Sequence, residues 1–266
     1  MTKILDGREL AGFMKERQAH LVRSLRGRKI FPHLLILRDS DHPVIKKYVD
    51  LKIRYGEDIG VKVTDLCLEN IDELLKNIDS ANKNTDYSSI IVQLPLSDKD
   101  RTEEVLKTLA PKKDVDGLSG VGDFDSATAT AINWLLAGYD INLDNKKIAL
   151  VGRGRLVGAP LYKMFKKSGR NVTLFHRGSD LTELKNYDVI ITATGVPHLI
   201  KSDYIKPSAV VVDAGTASEK GVLMGDVDDE VRARTDLLAI TPKLGGVGPM
   251  TVATLFENVI FAAQNQ

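Results

Sequence analysis

Cysteine is almost missing from this 266-residue chain. Cys67 stands alone, which excludes an internal disulfide and any zinc site built from several thiolates. No apolar run approaches the ~20 residues that span a bilayer. The opening MTKILDGREL lacks the apolar core of a secretion signal, so a reducing cytoplasm is the expected setting. An excess of one charge is missing too: 37 Lys and Arg against 36 Asp and Glu leave a formal net charge of +1. That balance gives no bulk attraction to nucleic acid or anionic membrane, and neither is expected as a partner. His20, His33, His42, His176 and His198 form no pair at metal-ligand spacing, so no metal site is expected. What is present is 43% hydrophobic and 27% charged residues, an ordinary globular mixture in a length that suits one large domain or two of average size.

Leu10, Phe13, Met14, Leu21, Val22 and Leu25 recur at helical spacing and predict a helix over 6–27. FPHLLILRD (31–39) reads as a buried parallel strand. A helix at 43–59, a strand at 61–68, a helix at 71–83, a strand at 88–96 ended by Pro95 and a short helix at 99–109 follow. PKKDVDGLSGVGDFDS (111–126) then breaks the rhythm with glycines and no apolar period, as a linker or active-site loop would. Beyond it come a helix at 127–139, strands at 146–152, 171–176, 188–194, 209–215 and 237–241, and a last helix at 250–264. Cys67, inside a strand pattern, is expected to be a small buried residue, and Trp134 to serve helix packing rather than touch the cleft. The alternation predicts an α/β protein with parallel sheets and right-handed crossovers. Two α/β domains are expected, 1–119 and 127–246, with ligand in the cleft between them.

IALVGRGRLVGAP (148–160) is a strand that ends in Gly152, Gly154 and Gly158 and runs into a helix. The spacing is one residue longer than the commoner dinucleotide fingerprint. Gly152 would permit the tight turn, Gly154 would let backbone approach a pyrophosphate, and Gly158 would let the helix pack closely on the sheet. The helix N-terminus, after Val157, would supply N–H groups to the phosphates. Enzymes that use NAD usually end the next strand with an acid; here His176 and Arg177 stand in that place. An Arg suits a 2′-phosphate, and Arg153 and Arg155 add positive charge, so NADP is expected over NAD, with NAD left possible.

Tyr48 and Lys52 lie four apart and share one helix face. Gln93 ends its strand at the carboxyl edge of a parallel sheet, where ligands of such sheets bind, and Asp116 sits in the KDVDG turn. Singly, each has an ordinary explanation as a helix, strand-end or turn residue. Taken together, YVDLKIR, IIVQLPL, KDVDG, VGRGRLVGAP and TPKLGGVGPMTVATL resemble, in order and spacing, the bifunctional methylenetetrahydrofolate dehydrogenase/cyclohydrolase family, from about Leu5 to Ala262.

The resemblance implies a substrate domain followed by a Rossmann-type NADP domain, with the last helix, at 248–266, returning to the first. It implies oxidation of 5,10-methylenetetrahydrofolate by NADP and hydrolysis of the methenyl product to 10-formyltetrahydrofolate. Lys52 would be the general acid/base, Gln93 would orient it, and Tyr48 would stack on the folate. Asp116 would accept hydrogen bonds from the pterin, beside Leu94. Gly248, Pro249 and Thr251 would form part of the folate wall, and Thr216 would lie along the cofactor. A homodimer through the cofactor domain is also implied. The chain departs from the family pattern in several places. The loop after DVDG is shorter, and Ser126, Ala127, Thr128 and Ala129 replace its usual Pro-Cys-Thr-Pro element. Gly154 replaces a Ser, Ile45 replaces another, and Lys243 and Leu244 replace Val-Pro. A paralogue with only one of the two activities, or a silent folate- or nucleotide-binding protein, is therefore the competing expectation. A shikimate-type dehydrogenase lacks a convincing Lys–Asp match here.

Overall fold

The computed structural model describes residues 2–219 and 222–266. In chain order the elements begin with β1 (Lys3–Ile4), α1 (Gly7–Gly27), β2 (His33–Arg38), α2 (Pro43–Ile59), β3 (Lys62–Cys67), α3 (Ile71–Lys83), β4 (Ser89–Val92) and α4 (Thr102–Lys107). They continue with α5 (Ala127–Gly138), β5 (Ile148–Val151), α6 (Gly158–Lys167), β6 (Val172–Phe175), β7 (Val189–Thr192) and β8 (Val210–Asp213). Last come a hairpin of β9 (Ala217–Glu219) and β10 (Val222–Met224), then α7 (Asp229–Arg232), β11 (Ala239–Ile240) and α8 (Val247–Gln264). Short 3₁₀ turns cover Leu181–Asn186 and Ser202–Tyr204. The chain divides into two compact units, Gly12–Ala127 with Val252–Gln266, and Met1–Ala11 with Thr128–Thr251. We call them the amino-terminal unit and the glycine-loop unit.

The amino-terminal unit is built on a parallel sheet in the order β3-β2-β4, in which Leu35 faces Thr64 on one side and Ile90 on the other. Its central strand is buried along its whole length, which explains why HLLILR reads as a continuous apolar run. Leu34 and Ile36 pack on Ile45 and Val49 of α2 and Phe256 of α8, while Leu35 and Leu37 pack on Leu74 and Ile78 of α3 and Val105 of α4. The two-residue period thus gives each face of the sheet its own helical layer. Pro43 opens α2 behind a His42 cap, whose Nδ1 accepts from Val44 N at 3.3 Å, and Gly60 closes the helix at φ 81°.

The glycine-loop unit holds a parallel sheet in the order β1-β11-β8-β7-β5-β6. Ala149, Val151, Ile190, Val211 and Ile240 contribute to its core.

The α/β class and parallel sheets agree with the sequence. Three details differ. Residues 1–11, placed in the first domain by the sequence reading, group with the glycine-loop unit, because Lys3 and Ile4 pair with Ala239 and Ile240 as its edge strand. Cys67 is exposed rather than buried, since β3 is an edge strand. The last helix starts at Val247 rather than at 250, with Gly248 and Pro249 in its first turn, where a proline's missing N–H costs nothing. No helix among the described residues is long and apolar enough to cross a membrane.

Candidate active site

In the amino-terminal unit, α2 is anchored by Ile45, Val49, Gly56 and Ile59, and this fixes Tyr48 and Lys52 one turn apart on a half-buried flank. Gln93 follows β4 directly, its N–H bonded to Leu37 O at 2.8 Å, so it stands at the carboxyl ends of β2 and β4. Lys52 Nζ donates to Gln93 Oε1 at 2.6 Å. Gln93 Nε2 donates to Leu94 O at 3.0 Å, which leaves the amide oxygen facing the lysine. Asp39 accepts from Ser97 N at 3.0 Å and Ser97 Oγ at 2.5 Å, closing the turn that carries Gln93 and Leu94. Nothing in the sequence marked Asp39 for this role, because an Asp after a strand is ordinary turn chemistry.

Asp116 is placed by the loop that the sequence left irregular. Buried Asp114 accepts from Ser119 N at 2.9 Å, and Asn258 Nδ2 donates to Val115 O at 2.8 Å. Asp116 O accepts from Ala127 N at 3.2 Å. Gly117 adopts φ 67°, and a Cβ there would stand 2.7 Å from the backbone of residues 124–126. The shortened loop is therefore folded on itself, with Asp116 fixed at both flanks.

The electrostatics follow from this arrangement. Burial disfavours the ammonium of Lys52 and lowers its pKa from the usual lysine range, while the attraction of Asp116 partly restores it. Burial pushes the Asp116 carboxyl up to about 6, against the pull of Lys52 and helped by the repulsion of Asp114. Both residues are half-buried, so each keeps a face toward a ligand. The set offers an amine that can lose its proton nearer neutrality than an ordinary lysine, held by an amide oxygen beside a carboxylate.

The glycine-loop unit supplies a different kind of site. Gly152 turns at φ 105°, and a Cβ there would lie 2.5 Å from Ala193 O. A Cβ at Gly158 would lie 2.1 Å from Gly152 O, whereas one at Gly154 meets nothing within 4 Å. Two of the glycines are thus required by packing, and the third leaves its backbone open to a ligand. α6 begins after Val157 with no side-chain cap; Ala159 N donates to Gly154 O at 3.0 Å and Pro160 has no N–H, so within the first turn it is the Gly158 N–H that an anion can draw on. Arg153, Arg155, His176 and Arg177 are exposed around this loop and the end of β6, and His176 Nδ1 contacts Arg177 O at 2.9 Å. Open backbone, an uncapped helix start and exposed guanidinium groups fit a phosphorylated dinucleotide. Thr216 is exposed just beyond β8. Gly248, Pro249 and Thr251 lie in the first turns of α8, within the span of this unit, and Thr251 Oγ1 donates to Val247 O at 3.2 Å.

A family model described as the tetrahydrofolate dehydrogenase/cyclohydrolase catalytic domain matches residues 5–116, and one described as the NAD(P)-binding domain of the same family matches 126–266. The bifunctional protein FolD of Lactobacillus acidophilus is 36% identical over 287 residues, covering 100% of this chain and 99% of the relative. Among solved structures, the bifunctional FolD methylenetetrahydrofolate dehydrogenase/cyclohydrolase from Campylobacter jejuni gives a TM-score of 0.94 at 33% identity, over 100% of this chain and 99% of that one. The Trypanosoma brucei dehydrogenase-cyclohydrolase, complexed with NADP cofactor and inhibitor, gives 0.90 at 27% identity, over 99% of this chain and 98% of that one.

Proposed function

The chain belongs to the tetrahydrofolate dehydrogenase/cyclohydrolase family, and from that premise we propose how its own residues divide the work. It oxidises 5,10-methylenetetrahydrofolate to methenyltetrahydrofolate with NADP and hydrolyses the methenyl compound to 10-formyltetrahydrofolate. Nothing observed favours a silent or single-activity paralogue, since Lys52, Gln93 and Asp116 remain assembled despite the altered loop.

Lys52 is the general acid/base of the hydrolysis. Its neutral amine takes the proton of the water that adds to the methenyl carbon, and Nζ returns a proton to the pterin nitrogen as that C–N bond opens. Gln93 positions the amine: its oxygen engages one N–H and leaves the nitrogen lone pair directed elsewhere. Asp116 accepts from the amino and ring N–H groups of the pterin, Tyr48 stacks on the folate, and Leu94 contributes to its wall. Gly152, Arg153, Gly154, Arg155, Val157 and Gly158 hold the cofactor phosphates on backbone and charge. Arg177, with His176 beside it, reads the 2′-phosphate, and Thr216 lies along the cofactor. Bound NADP supplies the hydride acceptor.

The domain roles follow: the amino-terminal unit carries the folate chemistry and the glycine-loop unit carries the cofactor. A reducing cytoplasm and a homodimer complete the reading. The exposed thiol of Cys67 suits such a compartment, and among the described residues β6 is an edge strand of its sheet, at which a second copy can pair.

The 2.6 Å contact between Lys52 and Gln93 carries this proposal. Lys52→Met is expected to lower hydrolysis of methenyltetrahydrofolate by about 10²- to 10⁴-fold while leaving the NADP Kd unchanged. Hydrolysis comparable to that of the parent protein would assign the acid/base role elsewhere.

A further inference from the structure

We infer that Asp226 is a positioning residue for the cofactor, fixing the turn after β7 on which the glycine loop is built; this rests on the reading of residues 152–158 as the NADP loop. Asp226 lies just beyond β10 and is 0% exposed. Its Oδ2 accepts from Thr192 Oγ1 at 2.6 Å and Thr194 N at 2.6 Å, and its Oδ1 accepts from Val196 N at 3.0 Å. These donors are the last residue of β7 and the turn that follows, at the carboxyl edge of a parallel sheet.

The glycine loop rests on that turn. Ala193 N donates to Val151 O at 2.8 Å, and the Ala193 carbonyl oxygen lies where a Cβ on Gly152 would come within 2.5 Å. Any shift of Ala193 therefore reaches Gly152, and through Gly152 O it reaches the start of α6 at Gly158.

Asp226 is itself braced by Asp213, which accepts from Asp226 N at 3.1 Å, Val227 N at 3.1 Å and Gly215 N at 3.0 Å, and from Arg232 Nη2. Glycines make the fit possible. A Cβ at Gly215 would stand 2.0 Å from Asp226 Oδ1, and one at Gly225 would stand 2.1 Å from Asp213 Oδ2. The tip of the turn, by contrast, has little packing to hold it: Val196 is 50% exposed and Gly195 turns at φ 70°. The buried carboxylate, and not apolar contact, orders it. The amides of Thr194 and Val196 are committed to Asp226 and are not available to phosphate. The phosphates therefore fall to the glycine loop, whose geometry Asp226 maintains from behind.

The test is NADP binding to the full-length protein by calorimetry without folate, with thermal midpoint and NADP-free hydrolysis measured on the same samples. Asp226→Asn keeps the shape but turns one acceptor into a donor facing an amide, and it should weaken NADP about ten-fold or more while hydrolysis persists. Thr192→Val removes only the hydroxyl donor and should weaken NADP about two- to five-fold. An Asp226→Asn protein with a lowered midpoint but an NADP Kd within about two-fold of the parent would reduce Asp226 to a purely structural role and overturn the inference. If Asp226→Asn does not fold, an unchanged Kd in Thr192→Val overturns it. Absence of NADP binding by the parent protein would instead bring down the cofactor-loop reading on which the inference rests.

Discussion

In the amino-terminal unit the proposed chemistry is carried by side chains from separate stretches of chain, Lys52 on α2, Gln93 after β4 and Asp116 in the DVDG turn, whose mutual influence is electrostatic. In the glycine-loop unit it is carried by main chain, and the side chains that matter at Gly152 and Gly158 are absent ones. The difference teaches where each site is vulnerable. A side-chain site fails when a functional group is removed and the fold is left alone. A backbone site fails when a carbon atom is added.

The sharpest way to break the comparison is Gly158→Ala. Its Cβ would meet Gly152 O at 2.1 Å, a backbone atom that cannot move without the loop. Overpacking of this kind costs about 1–3 kcal/mol, so the thermal midpoint should drop and NADP should bind about a hundred-fold more weakly. Gly154→Ala separates fold from ligand, because beyond its own chain neighbours the new Cβ meets nothing within 4 Å. Its midpoint should stay at the parent value while calorimetry shows weaker NADP binding. Equal midpoint losses in the two variants would mean that the three glycines do not divide as described.

On the side-chain site the corresponding probe is Asp116→Asn. Asp116 raises the pKa of Lys52, so removing its charge lets burial lower that pKa further. The acidic limb of the hydrolysis pH profile should move to lower pH, and the titration near 6 that belongs to Asp116 should vanish. The maximum rate should fall about ten-fold or more as the pterin loses a charged acceptor. A limb that moves to higher pH contradicts the assigned sign. A stability consequence accompanies it: with its folded pKa raised to about 6, Asp116 favours the fold below its ordinary value of 3.8. That contribution is lost as pH rises through about 6. The smallest effect is expected from Arg177→Ala, an exposed cation, which should weaken NADP up to about ten-fold and leave NAD binding little changed. Equal losses for both cofactors would show that Arg177 does not read the 2′-phosphate.

The sequence makes the repeating units of this fold visible and hides their edges. β2 and β5 are buried throughout and show themselves as apolar runs. β1 has two residues, too few for any period, and belongs to its sheet only through pairing with β11. Cys67 reads as an interior strand residue, yet β3 borders its sheet and leaves the thiol in solvent. Among the site residues, Lys52, Gln93 and Asp116 are visible as residue types at suggestive places. That they meet depends on α2, β4 and a loop pinned by Asp114 and Asn258, contacts that no local pattern encodes. Asp213 and Asp226 were unmarked for the same reason: most of their partners are backbone amides, which carry no residue-type signal.

The central claim is that burial lowers the pKa of Lys52 below the ordinary lysine range while Gln93 holds the amine. Isotope-edited NMR titration of the Lys52 ammonium in the full-length protein measures this without any assay of turnover. A midpoint clearly below the ordinary 10.5, moving lower still in Asp116→Asn, is the expected result. A midpoint at or above 10.5 in the parent protein would leave the amine charged throughout the physiological range and contradict the account.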